Sequence, residues 1–224
     1  ISTETNDRWY VTNVSDQGSA FDVMLNQSNA GRISWELAGE HNRTNALNAL
    51  AAARHVGVPT AVGIEALNEF RGVKRRLEVI HADATTVIYD DFAHHPTAIR
   101  TTLQGLRDRV GMDEIVAVIE PRTHTMSLGT LRNELQTCCY AADQVIWFRS
   151  ANIQWDLTEI TKGSVIPAST TQDVGDLVAT LISLPPPKPN TKRHIVIMSN
   201  GGFGGIYTLL TDAFNAAGRQ SEQT

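Results

Sequence analysis

The sequence has 224 residues and a mildly acidic balance, with 24 Asp and Glu residues against 19 Lys and Arg residues. A chain of this length forms one large domain or two small ones, and we expect two. No basic block is present to attract a phosphate backbone, so nucleic acid is not an expected partner. No apolar run approaches the roughly 20 residues that span a bilayer, and the first ten residues lack signal-peptide features. We therefore expect a cytoplasmic protein without membrane contact.

The first part of the chain is predicted to contain short strands and a helix. Alternation of apolar and polar residues over 32–37 indicates a strand with one buried face. Apolar residues at three- and four-residue spacings then predict a helix from about Thr44. Asn42 is a candidate helix cap, and Gly57 with Pro59 is a typical stop signal.

From about residue 80, apolar segments alternate with amphipathic ones. Strands are predicted at 86–90, 114–120, 144–148 and 194–198, and helices at 96–110, 127–141, 156–161, 173–183 and 205–216. Continuous Val and Ile runs separated by helices indicate a mainly parallel sheet covered on both faces, a Rossmann-like α/β topology. We place the domain boundary within 71–80, which gives domains at 1–75 and 76–224.

Two adjacent cysteines, Cys138 and Cys139, fall within a predicted helix. They cannot make a disulfide framework, and their spacing does not suit a zinc knuckle. We expect both to be reduced and structural. The chain does not begin with methionine, so we also expect it to be a processed product, an engineered piece or a proteolytic fragment.

A dense polar cluster, YDDFAHHP at 89–96, follows the first strand of the second domain. Ligands of open α/β sheets bind beyond the carboxyl ends of the strands, so Asp90, Asp91, His94 and His95 are expected to face a crevice. Pro96 fits the first turn of the next helix. A metal site is disfavoured because adjacent histidines point apart and no third spaced ligand follows. A hydrogen-bonded helix cap is the structural alternative.

Two further polar loops follow strands at 120–129 and 198–207. Arg122 is suited to binding a carboxylate or phosphate, with His124 nearby. The glycines of 201–205 let the backbone approach an anion at a helix start, although a tight turn explains them equally well. The sequence contains neither a G-x-x-x-x-G-K-[ST] triphosphate loop nor a G-x-S-x-G nucleophile turn.

Three stretches, GEHNRTNALNALAA, GVKRRLE and YDDFAHHPTAI, resemble in this order the Mur ligases, ATP-dependent amide-forming enzymes of peptidoglycan synthesis. EPRTHTMSLG and SNGGFGGIY resemble the members that attach L-alanyl-γ-D-glutamyl-meso-diaminopimelate to UDP-N-acetylmuramate more than those that attach L-alanine. The resemblance covers the end of the family's central ATPase domain and its whole Rossmann-like C-terminal domain. It implies ATP and Mg²⁺ as cofactors, with the P-loop, the metal ligands and the UDP pocket upstream. The fragment alone is therefore expected to be inactive.

The resemblance also implies roles for residues at the nucleotide. His41, Asn42 and Asn45 match the family's adenine contacts. Arg76 matches the linker arginine that reaches the nucleotide, with Arg75 as a less certain neighbour. Asp91 matches the acid that holds the ribose hydroxyls.

The peptide side of the site is implied in the same way. His94 and His95 belong at the junction between ATP and the incoming substrate, as the candidate catalytic residues. Arg122, Thr123 and His124 are the candidates for binding the peptide's carboxylates. The expected partners are UDP-N-acetylmuramate and the murein tripeptide, and no metal ligands are expected in this chain. The alternatives are an L-alanine ligase, a nucleotide- or peptide-binding module without chemistry, and a folylpolyglutamate synthase.

Overall fold

The computed structural model describes residues 8–15, 18–37, 39–122, 131–151, 153 and 155–221. They form two compact units, Ile1–Val73 and Lys74–Thr224, which we call the first and second units. Each unit has its own hydrophobic core. Within the described residues, no helix combines the length and the apolar character that crossing a membrane requires.

The first unit is a three-stranded antiparallel sheet packed against two helices. The strands are β1 (Trp9–Thr12), β2 (Ala20–Leu25) and β3 (Ser28–Ser34), in the order β1-β2-β3. The helices are α1 (Glu40–His55) and α2 (Thr60–Glu69). Their shared core contains Phe21, Val23, Ile33, Ala46, Leu50 and Ile64.

Two local predictions for this unit were wrong. Helix α1 begins at Glu40 rather than about Thr44, and its cap residue is Gly39, so Asn42 lies inside the helix and does not cap it. The strand predicted over 32–37 ends at Ser34, whose amide donates to Asn68 Oδ1 at 2.7 Å. A side chain of α2 thus takes the place of a further strand partner.

The second unit contains a six-stranded sheet in the order β4-β5-β9-β6-β7-β8. Its strands are β4 (Glu78–Ala82), β5 (Thr86–Asp91), β6 (Glu114–Ile119), β7 (Gln144–Phe148), β8 (Ala168–Thr171) and β9 (Arg193–Met198). Of the five strand pairings in this sheet, β4–β5 is antiparallel and the other four are parallel, so the predicted mainly parallel sheet is confirmed.

Helices cover both faces of this sheet. They are α3 (Pro96–Val110), α4 (Arg132–Thr137), α5 (Thr158–Lys162), α6 (Val174–Ile182) and α7 (Ile206–Ser221). Successive side chains of a strand point to opposite faces. Accordingly, Ile115 and Ala117 of β6 pack with α3, α4 and α5, whereas Val116 and Val118 pack with α6 and α7.

The strand order creates a topological switch point at the carboxyl ends of β5, β9 and β6, and we call the region beyond these ends the crevice. Strand β9 lies between β5 and β6, parallel to both. The helices that follow β5 and β6 pack on one face of the sheet, and the helix that follows β9 packs on the other. The connections therefore diverge at β9, which is the point where open α/β sheets bind ligands.

Cys138 and Cys139 should resist alkylation in the folded protein. Both are free and buried, with their Sγ atoms 3.6 Å apart. The hydrogen bond between the two thiols and burial hold the pKa of Cys139 well above its ordinary value, and only a thiolate reacts readily. Mass spectrometry after iodoacetamide treatment at pH 8 should show labelling only when denaturant is present. Equal labelling rates with and without denaturant would contradict this.

The second unit should lose stability on mild acidification because of His194. Its ring contacts Tyr89 Oη at 3.0 Å and Asp113 Oδ2 at 3.1 Å. Burial lowers the pKa of His194 below its ordinary value of 6.5, and Asp113 only partly opposes this. The unfolded chain then binds the proton more tightly, so the free energy of unfolding should fall as the pH drops below about 6.5.

Urea unfolding between pH 8 and 5 measures this effect. The His194→Gln variant should show a smaller loss of stability over that range than the original chain, because its amide does not titrate. Identical slopes for the two proteins would exclude His194 as the source.

Candidate functional site

The crevice is bordered by three loops, which follow β5 (residues 92–95), β6 (120–122) and β9 (199–205). We call the last one the glycine loop. All three strands are buried along most of their length, and a polar residue is the last residue of β5 and the first residue after β6 and after β9. Hydrophobic packing of the strands thus fixes where Asp91, Glu120 and Ser199 leave the sheet.

Asp91 is the most constrained acid of the site. It is 2% exposed, and its carboxylate accepts the backbone amides of Leu77 at 2.9 Å and Ala93 at 2.7 Å. Burial raises the pKa of Asp91 above its ordinary value, although both amides and the charge of Arg76 lower it. Each carboxylate oxygen has a second lone pair, which leaves capacity for donors such as ribose hydroxyls.

A second buried acid lies at the end of β6. Glu120 is 4% exposed, and its Oε2 accepts a 2.6 Å hydrogen bond from Ser199 Oγ. Ser199 Oγ in turn accepts the backbone amide of Gly201 at 3.0 Å. This chain of contacts ties the loop after β6 to the glycine loop.

Arg122 extends over the glycine loop. A Cβ atom at Gly201 would overlap its guanidinium, so a larger residue there would displace the arginine. Arg122 is itself exposed. An exposed guanidinium beside loop backbone suits the binding of a carboxylate.

The adjacent histidines have different positions, as their spacing suggests. His94 is half-buried, and its Nδ1 lies 2.9 Å from the carbonyl oxygen of Phe92. His95 is exposed and is the cap residue of α3, where Nδ1 accepts the amide of Thr97 at 3.3 Å. His95 thus caps the amino end of α3 through its ring.

The two linker arginines also differ. Arg76 is exposed, with its guanidinium 6.0 Å from the centre of the Phe92 ring. Arg75 points inward, donating from Nε to Asp90 Oδ2 at 2.9 Å and from Nη2 to Tyr207 Oη at 2.9 Å. Arg76 is therefore the more accessible of the two arginines, and the guanidinium of Arg75 is held by contacts within the second unit.

The remaining candidates belong to the first unit or fall outside the described residues. His41, Asn42 and Asn45 lie in the first two turns of α1, in the first unit, where Asn45 is exposed. Thr123 and His124 fall outside the described residues, so their predicted roles stay predictions.

The acids of the crevice do not suit a metal ion. Asp90 is paired with Arg75, Asp91 with two amides and Glu120 with Ser199. Across the part of the chain that the structure describes, no cluster of three His, Cys, Asp or Glu residues is arranged to hold a metal. The Mg²⁺ implied by the family resemblance thus has no fitting ligand set among these residues.

Sequence reasoning gave little weight to four residues of the site: Arg75, Glu120, Ser199 and Tyr207. The available signal was a polar residue directly after an apolar strand, which marks both Glu120 and Ser199. Tyr207 and Arg75 carry no such signal, because only the folded chain brings them together.

Residues 75–201, which include all three crevice loops up to Gly201, match the family described as Mur ligase, glutamate ligase domain. The chain belongs to the Mur ligase family, as predicted. It is 41% identical over 205 residues to the UDP-N-acetylmuramate–L-alanyl-gamma-D-glutamyl-meso-2,6-diaminoheptandioate ligase of Escherichia coli K12, covering 91% of this chain and 44% of that protein.

A crystal structure of a murein peptide ligase from Psychrobacter arcticus 273-4 has a similar fold. Its TM-score is 0.68 at 34% identity, covering 92% of this chain and 44% of that one. The UDP-N-acetylmuramate–L-alanine ligase of Desulfitobacterium hafniense is 38% identical over 139 residues, which is 61% of this chain and 31% of that protein. The chain thus spans less than half the length of these relatives.

Proposed function

We propose that this chain forms part of an ATP-dependent ligase that joins the tripeptide L-alanyl-γ-D-glutamyl-meso-diaminopimelate to UDP-N-acetylmuramate. The observation that carries the proposal is the 41% identity to the Escherichia coli tripeptide ligase over 91% of the chain. That similarity extends across both units, so it includes the crevice and most of the first unit.

An L-alanine ligase is the second candidate. The Desulfitobacterium hafniense alanine ligase is nearly as identical where it matches, but the match covers 61% of the chain. The longer match to the tripeptide ligase favours the tripeptide as the amino donor.

The proposed reaction has two steps. ATP phosphorylates the carboxylate of UDP-N-acetylmuramate to an acyl phosphate, and the peptide's amine then attacks the carbonyl carbon while phosphate leaves. Enzymes of phosphoryl transfer act mainly by positioning their substrates and by neutralising charge. Mg²⁺ would supply charge neutralisation in such a ligase, but the crevice acids described above are not arranged as a ligand set for it.

The residues of the second unit would act as clamps in this reaction. Arg122 would bind a carboxylate of the tripeptide with parallel hydrogen bonds, which a guanidinium makes and an ammonium does not. Asp91 would accept hydrogen bonds from the ribose hydroxyls of ATP, and Arg76 would bind the phosphates of ATP. His94 and His95 would lie beside the incoming amine. In the first unit, His41, Asn42 and Asn45 would contact adenine.

A chimeric enzyme tests the proposal. The chain would replace the matching 44% of the Escherichia coli relative, and ADP formation would be measured with each substrate omitted in turn. We expect ADP formation that requires ATP, UDP-N-acetylmuramate and the tripeptide together. A folded chimera that forms no ADP with the complete set would contradict the proposal.

A further inference from the structure

We propose that Arg75 is a positioning residue that holds the glycine loop in its binding arrangement; the catalytic part of this inference rests on the proposed function. The side chain makes its hydrogen bonds within the second unit. It connects the first residues of the second unit to loops at the ends of β5 and β9 and to the first turn of α7.

The contacts of the guanidinium carry the inference. Nη2 donates to the carbonyl oxygens of Ser199 at 2.6 Å and Gly201 at 3.2 Å, in addition to Tyr207 Oη. Nε is paired with Asp90. One side chain thus fixes two carbonyl groups of the glycine loop, and only 29% of that side chain is exposed.

Aromatic rings enclose the same guanidinium. Its Cζ atom lies 5.2 Å from the centre of the Phe92 ring and 5.6 Å from that of Tyr207. A guanidinium over aromatic faces is attracted by their negative charge density. Burial and the neighbouring Asp90 carboxylate raise the pKa of Tyr207, so its hydroxyl stays protonated and neutral beside the arginine.

The backbone of Arg75 is anchored as well. Its amide donates to Glu78 Oε2 at 2.8 Å, and its carbonyl oxygen accepts the amide of Phe92 at 2.9 Å. The φ angles of Arg75 and Leu77 are 58° and 50°, in the left-handed region that residues other than glycine rarely adopt. Such a conformation persists only where surrounding contacts hold it, as they do here.

Lysine cannot reproduce this arrangement. Its ammonium can pair with Asp90, but it lacks the planar fork that bonds to Asp90 and the two loop carbonyls at once. We therefore expect Arg75→Lys to release the glycine loop while keeping the charge of the cluster. Arg75→Met combined with Asp90→Asn removes both charges, so no unpaired buried carboxylate is left to unfold the chain.

Hydrogen exchange of the full chain measures the anchoring directly. The amides of Ser199, Gly201 and Gly205 donate to Asp91 O, Ser199 Oγ and Gly202 O, respectively, and these hydrogen bonds slow their exchange. In both variants, exchange in a peptide covering 199–205 should accelerate at least tenfold, while a peptide from β7 stays unchanged. Arg76→Lys is the matched control, and it should leave loop exchange unchanged. Unchanged loop exchange in the Arg75 variants would overturn the proposal.

Kinetics of the chimera test the link to catalysis. Arg75→Lys should lower kcat for tripeptide ligation at least tenfold with less change in the KM for UDP-N-acetylmuramate. Accelerated exchange with kcat within twofold of the unaltered chimera would also overturn the positioning role. An inactive unaltered chimera would count against the proposed function alone, and the anchoring would then be decided by exchange.

Discussion

Replacing Asp91 with alanine should destabilise the second unit and weaken ATP binding at the same time. The carboxylate accepts the amides of Leu77 and Ala93 in a site where Asp91 is 2% exposed. Leaving a buried donor without a partner costs about 1–3 kcal/mol, and alanine leaves two. The alanine variant also avoids the cost of burying the Asp91 charge, which offsets part of this loss. We expect a net loss of about 2–4 kcal/mol in the free energy of unfolding.

The variant Asp91→Asn separates stability from charge. An asparagine keeps one oxygen for one amide but presents its NH₂ group to the other, so we expect about half the loss seen with alanine.

The folded-state pKa of Asp91 is raised, so its protonation favours folding. The neutral acid therefore adds to the free energy of unfolding at pH values below 3.8, the ordinary pKa. This added stability is lost as the pH rises through the raised pKa of the folded state.

The effect of Asp91 on ATP can be measured in the chimera. Ribose hydroxyls that donate to the desolvated carboxylate would partly replace its lost hydration. We expect the KM for ATP to rise at least tenfold in Asp91→Asn, which is about 1.4 kcal/mol. Asp108→Ala, an exposed carboxylate of α3, is the control. An unchanged KM for ATP with an unchanged rate would remove Asp91 from the nucleotide site.

Arg122→Ala should impair use of the tripeptide without affecting the fold. The side chain is exposed beside Gly201, so its removal leaves no buried cavity. Loss of a charge-assisted pair with a carboxylate costs about 2–4 kcal/mol, which corresponds to a fall of roughly 30- to 1000-fold in kcat/KM. Arg122→Lys should recover only part of that loss, because an ammonium cannot bind the carboxylate through two parallel bonds.

Arg109→Ala is the matched control for Arg122. Arg109 is an exposed arginine in the last turn of α3, far along the helix from the crevice end, and its removal should leave kcat/KM unchanged. If Arg122→Ala changes the KM for ATP and leaves that for the tripeptide intact, the arginine binds nucleotide rather than peptide.

The parts of the fold that were predicted well have strong local signals. Helix α3 has the predicted bounds because Pro96 sits in its first turn and Gly111 ends it with a φ of 61°. The buried strands β5, β6, β7 and β9 stand out because apolar residues occupy both of their faces.

The missed elements lack those signals. Strand β4 is an edge strand with mostly exposed or half-buried residues, and β8 is the polar tetrapeptide ASTT. Both form through pairing with a neighbouring strand rather than through local preference. The insertion of β9 between β5 and β6 is likewise a long-range choice, which a local pattern does not encode.

The site shows the same division. Asp91, Arg122 and the two histidines became candidates because polar residues follow a buried strand, and the contact from Ala93 to Asp91 spans only two residues. The role of Arg75 was not recognisable, because its partners Ser199 and Tyr207 are 124 and 132 residues away in sequence. Nothing local distinguishes Arg75 from Arg76.

The choice of amino donor by the chimera tests the central claim most directly. Equal concentrations of the tripeptide and L-alanine would be supplied with ATP and UDP-N-acetylmuramate, and the products identified by mass spectrometry. The proposed function predicts that the tripeptide adduct dominates. A product consisting mainly of the L-alanine adduct would contradict it and assign the chain to an alanine ligase.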